Sequence, residues 1–90
     1  MNFLTDLEYL IIDELYFVTQ FNDLLAAVHA DREVLVQALT SLLERGLVSQ
    51  MIYDTQQKDF VKTESGSFAD IESGFYVATK AGLLEHNTRM

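Results

Sequence analysis

Apolar and polar positions recur with two different periods along this chain, and the changes of period mark its elements. From residue 5 to about 18 the apolar positions fall three or four apart, so Leu7, Leu10, Ile11, Leu15 and Val18 form one stripe of a first helix. Thr5 and Glu8 have the spacing of a capping box, in which the hydroxyl accepts from the backbone three residues on and the carboxylate accepts from the backbone N–H of Thr5. Asp6 and Glu8 also suit the positive end of the helix dipole. Tyr9, Ile12 and Tyr16 recur on a second face. A helix apolar on two faces is either deeply buried or shared with a partner. In so small a chain the reading favours a homodimer interface, with Tyr9, Ile12 and Tyr16 as its candidate residues.

A second helix is predicted at about 21–28, with Leu24, Leu25 and Val28 on its buried side and Thr19 or Asn22 as its cap. His29 and Ala30 form a turn. Asp31 caps a third helix, about 31–45, whose buried positions are Val34, Leu35, Ala38, Leu39, Leu42 and Leu43. Gly46 stands where a left-handed residue ends a helix, with Glu44 and Arg45 exposed before it. The period then becomes that of strands, at about 47–53 and 74–78. The stretch between them, 54–74, is polar except for Phe60-Val61-Lys62 and Phe68-Ala69, and pairs partly with itself. Phe60 and Phe68 either anchor this stretch to the body or dock onto a partner. Thr79 caps a last short helix at about 79–87. The pattern predicts one α+β domain over 1–90: a three-helix core, a β-hairpin with a long, partly irregular tip, and a short C-terminal helix.

Composition sharpens this picture. An apolar fraction of 49% with 22% charged residues describes a folded globular chain. Cysteine is absent, which removes disulfides, thiolate metal sites and a cysteine nucleophile. Asp6 and Glu8 interrupt the N-terminal apolar run, no basic segment leads it, and no uncharged stretch approaches the ~20 residues of a membrane span. The expected location is the cytoplasm, without a membrane. The formal charge is −8, and residues 1–30 hold five acids and no Lys or Arg. Such a field repels phosphate unless the cations converge on one face.

From Asn22 to Val48 the chain resembles the helix-turn-helix of winged-helix transcription regulators of the MarR and PadR kind. The resemblance lies in Leu24-Leu25-Ala26, in Asp31 at the cap, and in Leu-Leu-Glu-Arg-Gly-Leu-Val at 42–48. Ala78-Thr-Lys-Ala-Gly-Leu-Leu84 is similar to the segment that follows the wing in these families. The resemblance implies a winged helix-turn-helix that regulates transcription, with double-stranded DNA as partner and the third helix in the major groove. On that pattern the candidate DNA contacts are Arg32, Glu33, Gln37, Thr40 and Ser41 from the helix and Lys58 and Lys62 from the wing. Gln37 suits adenine, Arg32 guanine or phosphate, and Glu33 a cytosine amino group. The charge distribution supports a rival expectation, a winged-helix module that binds protein and no nucleic acid.

Other chemistry finds little support. His29 and His86 lie in different elements without metal-ligand spacing, so no metal and no cofactor are expected, and His86 reads as a frayed terminal residue. Ser65-Gly-Ser67 has no triad partners, the glycines at 46, 66, 74 and 82 form no phosphate loop, and Asp13-Glu14 are adjacent on a helix and do not face each other. The chain reads as a non-enzyme.

Overall fold

The first helix starts where its chemistry predicts. Thr5 Oγ1 accepts from the Glu8 backbone N–H at 3.1 Å, and Glu8 Oε1 accepts from the Thr5 N–H at 2.9 Å. In the computed structural model, which describes residues 4–62 and 71–88, helix α1 covers Asp6–Glu14. It is followed by β1 (Thr19–Gln20), α2 (Phe21–Val28), α3 (Arg32–Glu44), β2 (Val48–Asp54) and β3 (Asp59–Lys62). A 3-10 turn (Ile71–Ser73), β4 (Phe75–Ala78) and α4 (Lys80–Thr88) complete the described residues. The architecture is α+β, with an antiparallel sheet in the order β1-β4-β2-β3.

α1 is shorter than its apolar spacing predicts. It ends at Glu14, and Thr19 does not cap α2; its hydroxyl donates to the Phe17 carbonyl at 2.9 Å and closes the turn. The chain after the helix is drawn out to pair Thr19 with Tyr76 and Gln20 with Phe75. Strand pairing therefore overrides the helical spacing of Leu15 and Val18. Leu10 and Val18 lie outside the core, and Phe17 is 81% exposed. Neither Thr19 nor Asn22 caps α2, whose N-cap is Gln20; the Phe21 N–H donates to the Gly74 carbonyl at 3.0 Å. The αL conformation of His29 ends α2.

α3 follows the predicted register, apart from Val34, which is exposed, and Asp31, which stands at the N-cap with no capping bond from its side chain. Its C-terminus is a Schellman motif. Gly46, at φ +73°, donates to the Leu43 carbonyl at 3.1 Å, and Leu47 donates to the Leu42 carbonyl at 2.9 Å. Arg45 is not an exposed residue before the glycine; its side chain turns inward, as described below.

Phe60-Val61-Lys62 does not pair within its own loop. It is part of β3 and pairs with β2, Tyr53 opposite Phe60 and Met51 opposite Lys62. The turn between them contains Lys58 at φ 54°. Phe60 anchors this hairpin on the outer sheet face, 5.4 Å from the Tyr53 ring and 5.0 Å from the Phe75 ring. Phe68 and Ser65-Gly-Ser67 lie outside the described residues.

The core joins Ile11, Ile12 and Leu15 of the α1 segment to Phe21 and Leu24 of α2. Leu35, Leu39, Leu42 and Leu43 of α3, then Leu47, Val48 and Tyr76, close it from the other side. A buried polar link crosses this layer. Gln50 Nε2 donates to the Tyr76 hydroxyl at 3.1 Å, and that hydroxyl donates to the Ile71 carbonyl at 2.6 Å. It holds the 3-10 turn against the sheet, where the turn contacts both α2 and α3.

Helix α4 folds back by a close approach. A side chain at Gly82 would fall on the Leu47 carbonyl oxygen, which also accepts from the Thr79 N–H at 3.0 Å. Thr79 caps α4 as expected, accepting from the Gly82 N–H at 3.0 Å, and its hydroxyl donates to the Gly46 carbonyl at 2.7 Å. Among the described residues no helix is long and apolar enough to cross a membrane.

Candidate functional site

The outer face of α3 meets the 3-10 turn, and the two form a groove of about 400 Å³. Glu33, Val36 and Gln37 line it from the helix, three and four residues apart and so on one face; Ile71 and Glu72 line it from the turn. Its floor is apolar and its walls carry two carboxylates and an amide. Among the described residues no cation lines it. The predicted residues Glu33 and Gln37 are thus brought together, but with Glu72 from a segment that sequence reasoning left in an irregular tip.

Arg32 lies beside this groove. Its Nη1 stands 3.8 Å from the Glu72 carboxylate, and its guanidinium lies 5.5 Å from the centre of the Phe21 ring. Thr40 donates its hydroxyl to the Val36 carbonyl of its own helix at 2.8 Å, which takes its proton away from any external acceptor. Ser41 is half-buried on α3. Lys58 and Lys62 are exposed on the β2–β3 hairpin, in its turn and its outer strand, and do not line the groove.

The second arginine of the α3 segment is withdrawn from the surface. Arg45 Nη2 stands 2.6 Å from Glu8 Oε2. Glu8 is itself buried, its other oxygen engaged in the capping box. One carboxylate therefore starts α1 and holds the end of α3. The capping spacing pointed to Glu8, while nothing local pointed to Arg45 as its partner.

The three candidate dimer residues fall in different surroundings. Ile12 is wholly buried in the core of its own chain and cannot face a second subunit. Tyr9 stacks on His86 of α4, with ring centres 4.2 Å apart and planes within 13°. Tyr16 meets the same imidazole edge-on at 5.8 Å. α4 thus lies over part of the second apolar face of α1, through the His86 contacts to Tyr9 and Tyr16, and Tyr16 remains 49% exposed. His86 is accordingly no frayed terminal residue; it is 7% exposed, with Nε2 3.2 Å from Asp13 Oδ1 and Nδ1 3.4 Å from the Tyr16 hydroxyl. A histidine near the end of a short helix carries no local sign of such burial. Among the described residues no group of three or more His, Cys, Asp or Glu is placed to hold a metal ion.

Comparison with protein-family models, with curated proteins and with solved structures finds no match to this chain.

Proposed function

We propose that this chain is a winged-helix protein-interaction module, and that the outer face of α3 with its adjoining groove docks another protein and not DNA. The winged-helix reading is supported by the order of helices and hairpin and by β1, a short strand between the first two helices that joins the sheet beside β4. The observation that carries the choice of partner is the state of the two arginines of the α3 segment. Arg45 is withdrawn against Glu8, and Arg32, at the surface, has the Glu72 carboxylate 3.8 Å away, so each cation a phosphate would need already has a carboxylate of the chain beside it. Phosphate neutralisation supplies essentially all of non-specific DNA affinity. Of the exposed lysines, Lys58 and Lys62 sit on the hairpin among Asp54 and Asp59, and Lys80 stands apart from them at the start of α4.

The test is an amide-resolved titration of the full chain with a random duplex at about 50 mM salt, where the electrostatic attraction is strong. No amide between residues 32 and 41 is expected to move. Saturable shifts along that stretch, reversed by added salt, would overturn the proposal.

A further inference from the structure

We propose that the groove between α3 and the 3-10 turn takes a basic amphipathic segment of a partner protein. An apolar side chain of that segment lies on Val36 and Ile71, and its cationic head is held by the carboxylates of Glu33 and Glu72. This rests on the protein-docking reading above and adds the chemistry of the partner.

Shape and charge agree on this occupant. The groove is open to solvent and includes the aliphatic side chains of Val36 and Ile71 in its lining, which suits the apolar face of a segment laid on it in the manner of a helix in a groove. Among the described residues its lining carries a carboxylate from the helix and one from the turn and no cation, with Arg32 at the rim beside Glu72. The chain supplies its own precedent for what this wall attracts, because the Arg32 guanidinium already reaches the Glu72 carboxylate from the rim. Gln37 adds an amide that both donates and accepts, which suits a partner backbone. The net charge of −8 draws a basic segment towards this face from a distance and repels an acidic one.

The experiment follows backbone amides of the full labelled chain at about 150 mM salt, where charges more than about 8 Å apart are screened. The probes are a synthetic helical peptide of leucine and arginine and its counterpart with glutamate for arginine. The basic peptide is expected to move the amides of residues 33–37 and 71–73 saturably. The pair Glu33→Gln, Glu72→Gln should raise its Kd about 5- to 10-fold, the scale of two exposed ion pairs. The pair Glu14→Gln, Glu44→Gln removes the same charge from exposed sites elsewhere and should raise it less than about 2-fold. Equal weakening by both pairs, shifts centred away from the groove, or no binding of the basic peptide overturns the proposal. Equally tight seating of the glutamate peptide also overturns it but leaves protein docking in place. Movement of the same amides by duplex DNA overturns the docking reading itself.

Discussion

Replacing Glu8 by Gln isolates the electrostatic bond that ties the start of α1 to the end of α3. The substitution keeps the side chain's size and an oxygen that accepts from the Thr5 N–H, so the capping box survives in outline. What is lost is the negative charge 2.6 Å from Arg45 Nη2. Breaking a fully buried ion pair costs about 3–5 kcal/mol. A fully exposed pair contributes about 0–1 kcal/mol. The side chains here are 10% and 24% exposed, which places the loss between those limits, at about 2 kcal/mol. For a domain of this length that corresponds to a fall in Tm of roughly 8–16 °C. Urea unfolding of Glu8→Gln, Arg45→Met and the double variant gives the coupling directly, since methionine retains an apolar stem in place of the arginine's. A coupling of about 1–2 kcal/mol is expected. A coupling below about 0.3 kcal/mol, within the scatter of additive sites, would refute the claim that Glu8 holds Arg45.

Three further substitutions test other joints of the fold. Gly82→Ala should lower stability by about 1–3 kcal/mol despite alanine's better helix propensity, because the obstacle is the Leu47 backbone carbonyl; a raised Tm would contradict this. Tyr76→Phe removes the hydroxyl between Gln50 and Ile71, should cost about 1–3 kcal/mol, and should speed amide exchange at residues 71–74 relative to the rest of the sheet. His86→Ala should cost about 2–3 kcal/mol and release α4, seen as faster exchange over 80–88. His86→Phe, which keeps a ring against Tyr9, should recover more than half of that loss, and identical losses would rule out the stacking.

The parts of this fold legible in the sequence are those decided within a few residues. The Thr5–Glu8 box, the Leu35–Leu39–Leu42 stripe, Gly46 and the Thr79 cap each need only their neighbours, and each stands where the spacing places it. The parts not legible depend on distant segments. Leu15 to Val18 continue a helical spacing, yet pairing with β4 takes the chain into a strand. The hairpin turn at 55–58 lacks the Asn-Gly or Asp-Gly that would announce it, because the left-handed position is filled by Lys58. The two-faced pattern of α1 was real, but a pattern of apolar residues does not say whether the cover is a second subunit or α4 of the same chain. For the candidate site, the exposed positions Glu33 and Gln37 were readable from the helix period. Their partners Ile71 and Glu72, and the fate of Arg45, were set by tertiary packing that no local spacing encodes.

The central claim is that the chain's own carboxylates stand beside the cations of the α3 segment, leaving its outer face to another protein. Fluorescence anisotropy of a labelled random duplex, titrated with the full chain from about 50 mM to 200 mM salt, tests it most directly. The account predicts a flat trace at every salt concentration. A saturable rise at low salt whose log affinity falls linearly with log salt would contradict it.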